Sequence, residues 1–390
     1  MNVALDPSRG GKRAALVLAG SIALGAFECG AYAALEGSGV SASLEWVAGS
    51  SIGAVNAAII AGNAPADRVT RLRQFWATAS SDPTPFASFW FGPPWDGLWR
   101  QAYNQASVVQ TLLLGRSGLF RPRLHPGPRA GVSDVSALFD LAPLHAQLAS
   151  LVDFDRLNDG EVRVTIAATD VVGGERVVFD TAHGAVIGPE HVLASCALLP
   201  VFAPVEVEGR LLGDGGLSSN APLDLVLSDP AAAGLRCFVV DLFAPEGSRP
   251  TTLAASASRA GDLAFGNQSR RLLEGQGRED HLRALIDRLG SLLPADLGRD
   301  PEIAAILAEG RPEPADIVYV SYRAGLDEAG LAKPFDFSSA TITDRWRAGE
   351  AQMQAELRRL SPSANTAPGS RAGPASGMAP TKAVARQAGA

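Results

Sequence analysis

A buried strand, a tight turn and a helix are predicted in the segment Trp46-Val47-Ala48-Gly49-Ser50-Ser51-Ile52-Gly53-Ala54-Val55-Asn56-Ala57-Ala58. The apolar residues up to Ala48 are typical of a buried strand, and the Ala-rich run from Ile52 is typical of a helix. The turn between them has the pattern Gly-x-Ser-x-Gly, with Ser51 at its centre. Such a turn holds a serine hydroxyl at a helix N-terminus, where backbone amides stabilise an anion. The pattern alone is equally consistent with a Gly/Ser turn that only caps a helix.

A second strand, loop and helix are predicted near the N-terminus. Residues 14–19 form an apolar run, residues 20–25 a glycine-bearing loop, and residues 26–35 continue at helical spacing. A loop that opens a helix can direct several N–H groups at a phosphate or an oxyanion, but it is also an ordinary turn of a doubly wound sheet. Lys12-Arg13 and the apolar run imitate a signal peptide. We expect none, because the acidic Glu28 lies before the would-be cleavage site, where small uncharged residues are typical.

An aspartate among glycines is the next candidate. A hairpin predicted over residues 205–212 leads into Gly213-Asp214-Gly215-Gly216. Bare backbone on both sides lets another group approach Asp214 closely, although Asp-Gly is also common in ordinary turns. Partial burial beside a serine would raise the pKa of Asp214 toward the range of a general base. The five histidines lie in no convincing motif, and a Ser-His-Asp triad in the α/β-hydrolase order would require His281.

A segment rich in aromatic residues and prolines lies C-terminal to the predicted helix that begins at Ile52. Residues 83–100 have neither helical nor strand period, so we expect irregular structure there. Trp favours the interface between lipid and water, which suits a lid or a membrane-contacting surface. The alternative is a satellite core beneath a long loop. The large aromatic residues concerned are Phe86, Phe89, Trp90, Phe91, Trp95 and Trp99.

The composition is that of a globular protein. Of 390 residues, 46% are hydrophobic and 19% are charged, and the formal net charge of -7 argues against a nucleic-acid partner. Three scattered cysteines match neither a disulfide framework nor a zinc cluster, which favours a reducing compartment. No stretch approaches the roughly 20 apolar residues of a membrane span. We therefore expect a cytoplasmic protein that can lie peripherally at a membrane.

One large domain is predicted over residues 13–360, because strand and helix signals alternate along this region. The alternation indicates a three-layer α/β/α sandwich on a mainly parallel central sheet. We expect residues 1–12 to be flexible and the Ala/Pro/Gly/Ser-rich tail 361–390 to be disordered. Within the domain, residues 83–130 are predicted to form a lid-like insertion. Residues 252–360 are predicted to form a helical extension with a late strand.

Three segments together resemble the patatin-like phospholipase family, in the order in which that family uses them. Residues 16–27 resemble its oxyanion loop, residues 49–53 its nucleophile elbow, and residues 194–216 its aspartate segment. The conjunction is far more specific than any one motif. Weaker matches occur at Ala167-Ala168-Thr169-Asp170, Phe335-Asp336-Phe337, Arg345-Trp346 and Gly349.

The resemblance implies a serine acyl hydrolase that cleaves fatty-acyl esters of phospholipids or related lipids. Ser51 would be the nucleophile and Asp214 the base, and the backbone amides of Gly20, Ser21 and Ile22 would form the oxyanion hole. No metal or cofactor is expected. The expected partners are a lipid or acyl-ester substrate and, transiently, a membrane surface; the sequence predicts no oligomeric state. The motif glycines would be Gly25, Gly49, Gly53, Gly215 and Gly216.

The first loop departs from the family pattern Gly-Gly-Gly-x-[Arg/Lys]-Gly. Ser21, Ile22 and Leu24 replace two glycines and the cation. A β-branched residue tolerates positive φ poorly, so the loop is expected to be built differently, which affects turnover rate more than reaction type. Two alternatives stay open. One is an esterase or thioesterase that acts on soluble or polyester substrates, and the other is a catalytically weak lipid-binding or regulatory protein.

Overall fold

The structure, a computed structural model, describes most of the predicted domain. The described residues are 13–94, 96–123, 137–247, 249–294, 297–310, 315–323 and 330–360. Both termini for which flexibility or disorder was predicted, 1–12 and 361–390, lie outside these ranges. So do Trp95 and residues 124–130 of the predicted insertion.

A mainly parallel sheet of eight strands forms the centre of the described part. All strands of the described residues, including two outside this sheet, are in chain order β1 (Ala14–Leu18), β2 (Leu44–Ser50), β3 (Arg121–Pro122), β4 (Phe139–Asp140), β5 (Arg163–Asp170), β6 (Arg176–Asp180), β7 (Val205–Val207), β8 (Arg210–Asp214), β9 (Arg236–Asp241) and β10 (Asp316–Ser321). Their spatial order is β10-β9-β1-β2-β5-β8-β7, and β6 also pairs with β5. The strands from β10 to β5 are parallel, whereas β6, β7 and β8 pair antiparallel. β3 and β4 form a separate ribbon.

Helices cover both faces of the sheet and complete the three-layer α/β/α sandwich. They are α1 (Ala26–Ser38), α2 (Ile52–Ala61), α3 (Pro65–Ala79), α4 (Pro85–Phe91), α5 (Gly97–Leu114), α6 (Ala142–Leu151), α7 (Phe154–Asn158), α8 (Pro189–Ser195), α9 (Leu223–Leu227), α10 (Leu253–Leu292), α11 (Pro301–Glu309) and α12 (Ser339–Leu360). Of the helices described, none combines the length and the apolar character that crossing a bilayer requires.

The central strands are mostly apolar because both of their faces are covered. Every residue of β1 is buried, and in β9 only Arg236 is not. Strands of this kind read as continuous apolar runs, which is why both were predictable from sequence. Residues 14–18, which imitate a signal peptide, thus form an interior strand of the sheet. Since β1 and β2 are parallel neighbours, the loops that follow them meet at the same edge.

The predicted C-terminal extension is built into the sandwich: β10 extends the sheet and α12 packs against α1. The two helices cross with their backbones in contact. A methyl group at Gly30 of α1 would lie 1.9 Å from the carbonyl oxygen of Trp346, and one at Gly349 of α12 would lie 1.9 Å from that of Phe27. No side chain fits at either position, which accounts for Gly349 among the residues of the resemblance.

The prediction of irregular structure over residues 83–100 is wrong, because α4 and the start of α5 lie there. The prolines stand at the helix ends: Pro85 is in the first turn of α4, and α4 stops at Gly92, which has a φ of 71°. Each helical piece is too short to show a period in the sequence. The aromatic side chains that the structure describes in this segment are exposed, with Trp90 66% and Trp99 82% accessible to solvent. A satellite core beneath the segment is therefore excluded for these rings.

Candidate active site

Ser51 lies in the turn between β2 and α2, in strained backbone. Its φ is 54° and its ψ is -125°, which residues other than glycine rarely adopt. A methyl group at Gly49 would lie 2.4 Å from the carbonyl oxygen of Gly53, and one at Gly53 would lie 2.4 Å from that of Leu18. Both obstacles are backbone atoms, so neither can move aside. The Gly-x-Ser-x-Gly pattern thus lets the strand turn directly into the helix, with Ser51 at the edge of the sheet.

Strand register brings Asp214 to Ser51. Ser50, the last residue of β2, pairs with Ala167 of β5, and Asp214, the last residue of β8, pairs with Ala168. Because Ala167 and Ala168 are consecutive, β2 and β8 end at the same level on the two sides of β5. The Ser51 hydroxyl donates a hydrogen bond of 2.7 Å to Oδ2 of Asp214. The two side chains predicted to react together are therefore in contact.

The carboxyl group of Asp214 is held on both oxygens and is shielded from water. Oδ1 accepts a hydrogen bond of 2.7 Å from the amide of Gly216, which leaves Oδ2 for Ser51. A methyl group at Gly215 would lie 2.2 Å from the carbonyl oxygen of Ala167, so this position must be glycine. Burial raises the pKa of Asp214 to about 6, and the hydrogen bonds from Ser51 and Gly216 only partly oppose this effect. The pKa of Asp214 is therefore closer to neutrality than that of an exposed aspartate.

No described histidine hydrogen-bonds to Ser51 or Asp214. The buried His191 accepts a hydrogen bond from the amide of Gly188 and packs edge-on against a phenylalanine, and His281 is exposed on α10. The alternative of a Ser-His-Asp triad through His281 therefore has no supporting contact in the described residues. His125 lies outside those residues.

Ser195, which we did not assign a role from sequence, supports the turn at Ser51. The amide of Ser51 donates 2.9 Å to Oγ of Ser195, and this hydroxyl donates 2.6 Å to the carbonyl oxygen of Ala167. Ser195 is fully buried at the C-terminal end of α8, directly after the apolar residues 192–194. The bond fixes the backbone beneath the Ser51 hydroxyl and occupies the Ser51 amide. A lone serine in an apolar run was the available signal.

The loop after β1 offers fewer free amides than predicted. The amide of Gly20 donates 2.9 Å to the carbonyl oxygen of Asn220, so it is not available to a substrate in this structure. The amides of Ser21 and Ile22 have no acceptor among the described residues. Ile22 takes a φ of 29°, the conformation that its branched side chain tolerates poorly. The loop thus keeps a glycine-like shape at one position without the glycine.

Side-chain contacts explain the glycines that this loop retains. A methyl group at Gly20 would lie 2.9 Å from both Cβ of Ser51 and Oδ1 of Asn220. At Gly25 it would lie 2.7 Å from the side chain of Ile52. The buried Asn220 is a further residue that sequence reasoning missed, and its Nδ2 has no hydrogen-bond partner among the described residues. The loop after β1 therefore packs directly on the turn that carries Ser51.

Comparisons with known proteins were made by sequence and by structure. A family profile described as patatin-like phospholipase matches residues 16–227, more than half of the chain. A second, described as patatin phospholipase, matches residues 263–368. The crystal structure of VipD from Legionella pneumophila is similar over 89% of this chain and 67% of that chain, with 14% sequence identity and a TM-score of 0.39. No curated protein matches the sequence.

Proposed function

The chain belongs to the patatin-like phospholipase family, and we propose that it hydrolyses fatty-acyl esters of phospholipids or related lipids with Ser51 and Asp214 as a catalytic dyad. The family makes a lipid acyl hydrolase the coarse assignment. The finer assignment rests on one observation, the 2.7 Å hydrogen bond from Ser51 to the buried carboxyl group of Asp214. A serine needs an adjacent base to become a nucleophile, and Asp214 fills that position.

The proposed reaction has two balanced halves. Asp214 takes the proton of Ser51 as Oγ attacks the ester carbonyl carbon, and the tetrahedral oxyanion faces the free amides of Ser21 and Ile22. When the intermediate collapses, Asp214 returns the proton to the departing alcohol, which leaves an acyl ester on Ser51. Asp214 then takes a proton from water as the water oxygen attacks this ester. The fatty acid leaves, and Ser51 regains its proton.

The environment of Asp214 supports its role as a base. An exposed aspartate is too weak a base at neutral pH, whereas burial raises the pKa of Asp214 to about 6. The group is then mostly ionised at pH 7 and still accepts a proton readily. The Gly216 amide fixes one oxygen, so the other keeps its alignment with Ser51.

The aromatic helices α4 and α5 are proposed to touch the lipid surface. Large apolar side chains there are exposed to water: Phe86, Phe89, Trp90, Phe91, Leu98 and Trp99. Transfer of Trp and Phe rings from water into the interfacial region of a bilayer is favourable. An ion pair of 2.7 Å between Arg100 of α5 and Asp344 of α12 joins this surface to the sandwich. A membrane-bound substrate would therefore meet these helices.

The primary test compares wild type with Ser51→Ala on phospholipid vesicles, a short-chain ester and an acyl thioester. Wild type should release fatty acid from the vesicles, and a fluorophosphonate should label Ser51. Ser51→Ala should lose activity and labelling and keep the wild-type circular dichroism spectrum. Activity on the ester or thioester alone would favour the second candidate function. An inactive wild type with unlabelled Ser51 would favour a lipid-binding protein.

The membrane contact is tested by replacing Trp90 and Phe91 together by serine. Vesicle binding should fall at least about tenfold, since burying one large apolar side chain contributes about 1.5–3 kcal/mol. Hydrolysis of a water-soluble ester and the melting temperature should change little, because both rings are exposed. Serine at Val172 and Val186, which are 82% and 76% exposed, provides the control. Equal losses in both double variants would contradict a specific membrane surface.

A further inference from the structure

We propose that Arg345 is a positioning residue that holds the loop between β1 and α1 in the shape that binds the oxyanion. The inference rests on the proposed acyl-hydrolase function. Arg345 lies in the first turns of α12 and is only 1% exposed. Its Nη1 donates 3.0 Å to the carbonyl oxygen of Ala23, in the loop itself. A cation from the last helix thus contacts the loop that has none of its own.

The guanidinium group also holds the segment that leads into α12. Nη1 donates 3.1 Å to the carbonyl oxygen of Asp336, and Nη2 donates 2.9 Å to that of Lys333. A buried charge is costly unless hydrogen bonds satisfy it, so these bonds keep the guanidinium in one place. The planar fork of an arginine can span several carbonyl oxygens, which the single ammonium group of a lysine cannot reproduce. Arg345 therefore fastens the loop to a rigid part of the sandwich.

The loop requires such a support because its backbone is strained. Ile22, with its φ of 29°, directly precedes Ala23. Strained residues persist only where the surrounding structure over-determines them. Residues Ile22–Gly25 form a helical turn, in which carbonyl groups point to the C-terminal end and amides to the N-terminal end. Arg345 binds the C-terminal end of this turn through the carbonyl oxygen of Ala23. The amides of Ser21 and Ile22 lie at the opposite end, which is proposed to face the substrate.

The contact between α1 and α12 makes this support rigid. At Gly30 and Gly349 the two backbones touch, so α12 cannot slide along α1 without a clash. Arg345 is only four residues from Gly349, one helical turn away. Its guanidinium is therefore placed by a fixed backbone.

The test replaces Arg345 by Met and by Lys in the full chain. Arg345→Met should lower kcat about 100-fold with KM within about threefold, the scale expected when an active-site group moves by about 1 Å. Labelling of Ser51 by a fluorophosphonate should slow in parallel, because the phosphoryl oxygen must enter the same site. Arg68→Lys is the matched control: Arg68 is 2% exposed, and it donates to the carbonyl oxygen of Asn63, away from the loop. The control should lower stability and keep kcat within about threefold of wild type.

A double-mutant cycle with Ile22→Gly separates positioning from general stability. Glycine adopts positive φ freely, so the loop should then depend less on Arg345. Arg345→Lys should lower kcat at least about tenfold in wild type and markedly less in the Ile22→Gly background. Equal losses in both backgrounds, or wild-type kcat in folded Arg345 variants, would overturn the proposal. So would variants at Arg345 that never fold, since the residue would then act in folding alone. An inactive wild type would instead contradict the proposed function.

Discussion

Two strand-to-helix loops lie side by side at the edge of the sheet, residues 20–25 after β1 and residues 49–53 after β2. The glycines of the second loop face backbone atoms. A methyl group added at Gly53, for example, would lie 2.4 Å from the carbonyl oxygen of Leu18. Those retained by the first loop face side-chain atoms at longer distances, 2.9 Å at Gly20 and 2.7 Å at Gly25. The first loop has also lost two glycines of the family pattern and carries strain at Ile22. Substitution of a motif glycine is thus least tolerated where backbone atoms lie against it. It is better tolerated where a contact from outside the loop can stabilise the loop conformation.

The largest effect should come from Asp214→Asn, which tests whether the second loop presents its serine to a base. An asparagine side chain can accept the hydrogen bond from the Gly216 amide and can contact Ser51, but it cannot take the proton of the Ser51 hydroxyl. We expect kcat to fall about 10³- to 10⁴-fold, as for the loss of an essential member of a catalytic unit. Steady-state hydrolysis of a soluble ester measures this. A variant within tenfold of wild type would mean that the base lies elsewhere.

Gly53→Ala in the second loop should cost more stability than Gly20→Ala in the first loop. Its methyl group would meet backbone, so we expect a loss of about 3 kcal/mol or more in the free energy of unfolding. Gly20→Ala should cost less, because the nearest atoms would lie 2.9 Å from its methyl group. Gly37→Ala in α1, where nothing lies within 4 Å, is the control and should stabilise by about 0.5–1 kcal/mol. Urea unfolding ranks the three variants. A Gly20→Ala loss as large as that of Gly53→Ala would break the comparison.

The buried carboxyl group beside the second loop should make stability depend on pH. The pKa of Asp214 is raised to about 6 in the folded protein, so its favourable contribution is fully present below its unfolded value of 3.8 and is lost as pH rises through 6. Asp214→Asn should therefore be more stable than wild type at pH 8, by roughly 2–3 kcal/mol, and the gain should shrink toward pH 4. Thermal unfolding across pH measures the difference. For wild type, kcat/KM should rise with pH around 6.

Ile22→Gly should have the smallest effect and sharpens the comparison most directly. Glycine relieves the strain at φ 29° but loses side-chain packing and adds chain entropy, so we expect a net change within about 1 kcal/mol. Ile303→Gly, at a similarly half-buried position inside α11, should cost clearly more because no strain is relieved there. Urea unfolding compares the two. Equal costs would show that the positive φ at Ile22 carries little strain.

The parts of the fold that were predictable from sequence depend on neighbours in the chain. The apolar runs of β1 and β9 and the glycines around Ser51 and Asp214 each leave a local pattern. The short helix α4 does not, because Pro85 and Gly92 bound it within eight residues.

The site contacts that could not be predicted from sequence join residues far apart in the chain. Ser195 touches the Ser51 amide and Arg345 touches Ala23 only after the sheet and α12 are assembled. One sequence carries no signal for such pairings beyond the residue types, a serine in an apolar run and an arginine early in an amphipathic helix. The contact of Asp214 with Ser51 could be expected from the resemblance, whereas the strand register that produces it could not.

The glycine contact between α1 and α12 joins helices from opposite ends of the domain, which has a consequence for refolding kinetics. Closing so long a loop is entropically costly, and contacts distant in sequence form slowly. Chains of this size commonly pass through partly structured intermediates. A refolding chain would therefore place Ser51 against Asp214 before α12 fastens the neighbouring loop. Hydrolytic activity should then return after most of the helical circular dichroism signal, in the slowest phase.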